Sequence, residues 1–428
     1  MELLINPARK DWPSLCLRPS SDNPEVVKRV NIIIERVRKD GDLALKQIAE
    51  EIDAFIPDNL EVTKDEMLEA SDKVSAEVKQ AIETAGRNIA AFHKAQLPRE
   101  IEVETQKGVR CIQRPVPISR VGIYIPGGTA PLFSTVLMLA IPARCAGCKE
   151  IIMCTPCGKD GKVAPEVLYS ASVCGVDRIF KTGGAQAIAA MAYGSGSIPA
   201  VDKIFGPGNQ YVTTAKQLLG NRITAIDMPA GPSEVMVLCD DSTDPRFAAA
   251  DLLSQAEHGA DSQVMLVSDS IDGARAVMEE VERQTQTLDR ADYIRKSLSK
   301  SRFIVFDEKK EMVDFANTYG PEHLIVSLKD AWSVVDQIYC AGSVFVGAYT
   351  PESAGDYASG TNHTLPTCAW ARSYSGVNID SFLKKMTIQE ISGEGLKGLA
   401  PTIVAMAEAE GLQAHANAVT IRCGYEKK

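Results

Sequence analysis

Four of the chain's five histidines lie in short polar segments of its C-terminal half, each with an acid or amide close by. The segments are Gln255-Ala256-Glu257-His258-Gly259, Gly320-Pro321-Glu322-His323, Gly355-Asp356-Tyr357-Ala358-Ser359-Gly360-Thr361-Asn362-His363 and Gln413-Ala414-His415-Ala416-Asn417. Imidazole is the commonest metal ligand and the side chain whose proton moves most easily near neutral pH, so this concentration points to a chemical site.

Gln255 and His258 stand three apart after the helix-like run Asp251-Leu252-Leu253-Ser254. Residues at i and i+3 share a helix face, which aims an amide oxygen and an imidazole the same way. Asp356 and His415 would complete a set of two nitrogens and two oxygens suited to zinc. Glutamine is an uncommon zinc ligand, however, and no spacing brings these four together. Glu322-His323 directly precedes the apolar run Leu324-Ile325-Val326. Neighbours on an extended chain point to opposite sides, so this pair can serve two proton transfers only where the chain turns, and Gly320-Pro321 supplies a turn. A solvated Glu322 beside a partly buried His323 fits the pattern equally well.

Three glycine turns follow strand-like runs: Gly127-Gly128, Gly183-Gly184 and Gly206 with Gly208. Glycine lets backbone N–H groups approach a phosphate, and the next helix N-terminus favours negative charge. None completes G-x-G-x-x-G, so nucleotide binding and plain turn chemistry both remain open. Gln186 and Asn209 stand where the following helices begin, placed to bond a ligand or to cap the helix.

These groups need elements to hold them. The first hundred residues read as helices: Pro24 opens a Val26, Val27, Val30, Ile33, Ile34, Val37 stripe ending at Gly41, and Thr63 with Glu66 is a capping-box signature. His93 ends a further helical run, where a structural or surface role is expected. From about residue 108 the period changes to strands at 109–116 and 121–125, then strand, glycine turn and helix recur through 149–154, 178–180, 203–205 and 226–232. A second set, 235, 264–267, 303–306, 323–326 and 343–346, predicts a second α/β unit with a mostly parallel sheet. After about residue 375 the strand signal disappears, and a helical tail is expected, too small to bury its own core.

Composition narrows the function. At 428 residues, with 45% apolar and 24% charged, the chain predicts a multidomain globular protein. A formal charge of −10 argues against nucleic acid, whose binding needs a basic face. The most apolar run, 136–141, is far too short to span a membrane, and no basic and apolar leader opens the chain, so a cytoplasmic location is expected. Eleven cysteines fit reduced thiols. Cys145-x-x-Cys148 and Cys154-x-x-Cys157 look like zinc thiolates, but the five residues between the pairs read as a strand that would hold them apart, favouring inert buried thiols.

Together the segments resemble the histidinol dehydrogenases nearly end to end. The resemblance rests on VGIYIPGGTAPLFSTVLMLAIPA (121–143), TGGAQAIAAMAYG (182–194), KIFGPGNQYV (203–212), DMPAGPSEV (227–235), DLLSQAEHGADSQV (251–264), YGPEHL (319–324), TPESAGDYASGTNHTLPT (350–367) and GLQAHANAVTIR (411–422). It implies four-electron oxidation of L-histidinol to L-histidine through the aldehyde, using two NAD. It implies one zinc per subunit on Gln255, His258, Asp356 and His415, and NAD contacts at Tyr124, Gln186 and Asn209. Substrate contacts fall on Ser233, His323, Glu410 and the zinc ligands, and proton transfer on Glu322 and His323; His363 lies near the site with its role open. The implied architecture is two incomplete Rossmann-like parallel-sheet domains in a homodimer with shared sites. Its boundaries are an N-terminal arm at 1–20, a first α/β domain with the N-terminal helices at 21–124 and 233–370, a second at 125–232, and a helical tail at 375–428 reaching the partner. Competing expectations are a related dehydrogenase of another polar alcohol, such as a sulfonated diol, and a zinc hydrolase in which Glu322 activates metal-bound water.

Overall fold

Strands buried along their whole length alternate with helices and set the architecture. In chain order the computed structural model has β1 (Glu2–Ile5), β2 (Ile101–Gln106), β3 (Val109–Pro117), β4 (Arg120–Tyr124), β5 (Glu150–Thr155), β6 (Arg178–Lys181), β7 (Lys203–Phe205), β8 (Ala225–Ile226), β9 (Glu234–Cys239), β10 (Gln263–Ser268), β11 (Arg302–Val305), β12 (His323–Ser327), β13 (Ser343–Val346) and β14 (Leu383–Ile391). The structure describes residues 2–18, 23–53, 56–127, 131–220, 222–229 and 231–424.

Five strands form a parallel sheet ordered β6-β5-β4-β7-β8, and six form another ordered β1-β11-β10-β9-β12-β13. Leaving β1 aside and counting from β4 or β9, each sheet runs third, second, first, fourth, fifth, the doubly wound dinucleotide-binding order without its sixth strand. The expected α/β class with two incomplete Rossmann-like sheets is therefore what the chain forms. Runs such as Glu234-Val-Met-Val-Leu-Cys239 are buried at every position because helices cover both faces. Helix starts follow local chemistry: Asn23 caps Pro24–Asp40, and Thr63 and Glu66 form the reciprocal capping box.

Backbone packing separates two units, Met1–Gln96 with Ile118–Phe382, and Leu97–Pro117 with Leu383–Lys428. Both parallel sheets belong to the first. The second holds an antiparallel ribbon, β14-β3-β2, and the helices Gly393–Ala409 and Gln413–Thr420. Among the described residues no helix is long and apolar enough to cross a membrane.

Several elements differ from the sequence reading. Residues 383–391 are a strand, although no strand was expected after 375; their side chains are almost all exposed, so no alternation of apolar and polar residues marks them. β4 is the central strand of the five-stranded sheet, whereas the expected boundary at 124 assigned it to the other α/β domain; adjacency in sequence to β3 hides this, because strand order is nonlocal. The helices from Pro24 to Asp53 pack through Val30, Ile34, Val37, Leu45 and Ile48 against Ile188 and Val212 of the five-stranded half. Part of the expected N-terminal arm is ordered structure: β1 pairs with β11, and Trp12 is buried against Phe306 and Phe315. Cys148 and Cys154 are buried, and burial pushes the Cys148 thiol up to about 11 and the Cys154 thiol higher still, so both are inert rather than reactive thiolates.

Candidate active site

The geometry begins where a helix stops. Gly320 takes a left-handed conformation at the end of helix Lys309–Tyr319, and a Cβ there would crowd the Cys340 thiol. Pro321 cannot continue the helix, so the chain turns extended and enters β12 at His323, between β9 and β13. Glu322 and His323 are both buried, at 6% and 3% exposure, which decides against a solvated pair. Glu322 Oε2 accepts a hydrogen bond from the Glu234 N–H at 2.8 Å, and His323 Nδ1 lies 3.1 Å from the Glu234 carbonyl. A carbonyl only accepts, so Nδ1 carries the proton and donates. Nε2 is left buried without a hydrogen-bond partner.

Acids surround that imidazole. Nδ1 is 3.7 Å from both Glu322 Oε2 and Glu352 Oε1, and Nε2 is 3.6 Å from Asp356 Oδ1. Glu352 was missed in the sequence. It stands four residues before Asp356 on the short helix Glu352–Tyr357, so both carboxylates share a face, and that spacing was the available signal. Among the described residues His323, Glu352 and Asp356 are the only acid, imidazole or thiol group that could hold a metal, with ligand atoms within 4.8 Å of one another.

The other expected ligands sit differently. Gln255 is fully buried near the end of helix Pro245–Ala256, its Nε2 3.5 Å from Glu322 Oε2; turning its amide lets nitrogen donate to Glu352 and oxygen accept from the Glu234 N–H at 2.9 Å. His258 is exposed just past that helix. His363 Nδ1 lies 3.0 Å from the Asp356 carbonyl, and its Nε2 lies 3.3 Å from Thr135 Oγ1. Ser233 immediately precedes β9. Glu410 and His415 are exposed in the second unit, at the end of helix Gly393–Ala409 and within helix Gln413–Thr420. His93 is buried, with Nδ1 2.8 Å from the Ile89 carbonyl, a structural role.

Burial and charge compete over these protons. Burial lifts the Glu322 and Glu352 carboxyls each to about 8. Burial alone would lower His323, but Glu352, Glu322 and Asp356 outweigh it and raise the imidazole to about 10. Burial would raise Asp356, yet its contact with His323 and the charges of the nearby histidines hold it below the usual carboxylate range. Desolvation by surrounding protein atoms lowers His258, whose residue still has an exposed surface, and also His363, with Asp356 opposing in both. The pocket thus holds protons on Glu322, Glu352 and His323 more tightly than free carboxyl and imidazole groups do, while Asp356 is held toward its anion.

The glycine turns lie at the C-terminal ends of the five-stranded sheet, where α/β sheets bind ligands. Tyr124 ends β4, and its hydroxyl accepts from the Gly184 N–H at 3.1 Å. Gln186 is buried in helix Gly184–Tyr193. Gly206, after β7, has φ +125°, and a Cβ there would strike the Tyr124 carbonyl oxygen. Lys216 Nζ donates to the Gly206 carbonyl at 2.8 Å, and the Gly206 N–H donates to Asp227 at 2.8 Å, so a buried ion pair grips this turn. Asn209 caps helix Gln210–Leu219, its Oδ1 accepting from the Tyr211 and Val212 N–H groups, which leaves its amide nitrogen available. Gly128 lies outside the described residues. Thr135 belongs to helix Phe133–Ala146, which follows β4, so the His363 contact joins this half to the acid cluster.

A sequence model of the histidinol dehydrogenase family matches residues 16–423. A histidinol dehydrogenase of Bacteroides fragilis is 54% identical over 422 residues, covering 99% of each chain, and one of Vibrio parahaemolyticus is 52% identical over 409 residues, covering 94% of each. The crystal structure of histidinol dehydrogenase from Elizabethkingia anophelis superposes with a TM-score of 0.96 at 47% identity, covering 99% of this chain and 98% of that one.

Proposed function

This chain belongs to the histidinol dehydrogenase family and oxidises histidinol to histidine, and on that premise we propose how its residues divide the work. The reaction takes four electrons in two steps. In the first, His323 Nε2 takes the hydroxyl proton of L-histidinol as hydride leaves the carbinol carbon, giving the aldehyde. In the second, Glu322 removes a proton from water as it adds to the aldehyde, and the hydrate loses hydride to yield the carboxylate. NAD, when bound, is the hydride acceptor in each step, held at Tyr124, Gln186 and Asn209.

The observation that carries this reading is the orientation of His323, whose Nδ1–H is tied to Glu234 while Nε2 is buried and unpartnered beside Asp356. A general base must be neutral, and the raised His323 depends on its acid neighbours. A substrate ammonium against Glu352 and a cation on Asp356 would neutralise those acids and release the proton from the imidazole. Glu352, missed in the sequence, is thus the carboxylate we assign to the substrate amine, beside Ser233.

We assign the metal as one zinc per subunit, on Gln255, His258, Asp356 and a His415 from a second copy of this chain. Bound there, it would act as a template that fixes the substrate's imidazole and amine. Exposure of His415 and Glu410 in the single chain supports a homodimer in which the tail completes the partner's site. Eleven free thiols support a reducing, cytoplasmic setting. The test is stoichiometric: each L-histidinol consumed should yield two NADH, whereas a yield of one, or none with hydrolysis of another substrate, would overturn the scheme.

A further inference from the structure

Both groups assigned to proton transfer hang from a single peptide. Glu234, the first residue of β9, gives its N–H to Glu322 and its carbonyl to His323, so the placement of this one residue sets both. Its side-chain carboxylate is fully engaged elsewhere. Arg18 binds it bidentately, Nε to Oε1 at 2.9 Å and Nη2 to Oε2 at 3.0 Å, and the Cys368 N–H donates to Oε1 at 2.8 Å. Arg18 is itself fixed, its Nη2 donating to the Tyr319 carbonyl at 2.7 Å, its Nη1 to the Cys16 carbonyl at 2.9 Å, and its guanidinium lying 3.5 Å from the Tyr319 ring centroid.

We propose that the Arg18–Glu234 ion pair positions the catalytic pair, holding the Glu234 peptide where its two polar groups orient Glu322 and His323 together. Two physical arguments support it. A buried ion pair returns little net stability, because desolvating both charges offsets their attraction, so this one is better explained by the orientation that its bidentate geometry imposes. Cys368 and Ala369 also both adopt positive φ, 53° and 59°, without being glycine, and such strain persists where surrounding contacts over-determine it. The Cys368 N–H bond to Glu234 is one of those contacts. Neither Arg18 nor Glu234 is assigned any contact with substrate or coenzyme.

This inference rests on the roles given above to Glu322 and His323, and the experiment separates the two. In the full-length, zinc-loaded enzyme, Glu234→Gln should lower kcat for histidinol and for the aldehyde alike by roughly tenfold or more, since displacements below an ångström suffice to slow catalysis. KM for NAD and bound zinc should stay within twofold of wild type. Because Glu234→Gln could impair folding, the volume-matched double variant Arg18→Met with Glu234→Met is tested beside it. That double variant should melt near the wild-type temperature yet share the loss of kcat in both steps. Wild-type kcat in a folded double variant, or a loss confined to one step, overturns the positioning role. His323→Asn is the control for the underlying reading: if it retains turnover, the catalytic assignment fails, whereas if it is inactive and the Arg18–Glu234 variants are not, the positioning inference alone fails.

Discussion

At the residue scale, Glu352 separates what the pocket does empty from what it does occupied. Glu322, Glu352 and His323 all bind protons more tightly in the folded chain than unfolded, with ordinary values of 4.5, 4.5 and 6.5 raised to about 8, 8 and 10. Such groups stabilise the fold fully below the unfolded value, and that contribution is lost as pH rises through the folded one. Chelated, zinc-free protein should therefore lose melting temperature between pH 6 and pH 9. Glu352→Gln should lose less, because it removes one such carboxyl and one cause of the raised His323; an equal or steeper loss in thermal melts would count against the cluster's charge balance. In the zinc-loaded enzyme the same substitution should raise KM for histidinol by roughly ten- to a hundredfold, the worth of one hydrogen bond to a charged group. Steady-state kinetics would decide, and an unchanged KM would remove Glu352 from the amine site.

At the element scale, one side chain can both end a loop and meet a ligand. Asn209 caps helix Gln210–Leu219 through Oδ1, and its amide nitrogen is the group proposed to meet NAD. Asn209→Ala should cost about 1 kcal/mol of stability and raise KM for NAD. Asn209→Ser restores an oxygen cap without the amide nitrogen, so the melting temperature should recover while KM for NAD stays high. Recovery of both would make Asn209 a cap alone. The elements themselves were largely legible: the capping box at Thr63, the Gly-Pro stop before Glu322 and the apolar runs of β9, β10 and β12 are local chemistry. β14 was not, because a strand exposed on almost every side chain carries no periodicity.

At the scale of the whole molecule, the shared site is the proposal most open to test. If His415 serves the partner, mixing inactive His415→Ala and Asp356→Ala proteins should regenerate one intact site in each mixed dimer. Equal mixing then restores about one quarter of wild-type activity. Confirmed mixed dimers with no recovered NADH formation would refute the exchange.

The chain's own order of residues determined the α/β class, the glycine turns, most helix starts and the Glu322-His323 pair, since each depends on neighbours within a few positions. The resemblance extended this to a full set of expected site residues. Tertiary structure alone decided that β4 centres one sheet, that Glu352 joins Asp356 around His323, and that Arg18 and Glu234, 216 positions apart, meet beneath the catalytic pair. Those are contacts between distant residues, and local periodicity carries no record of which strand lies beside which.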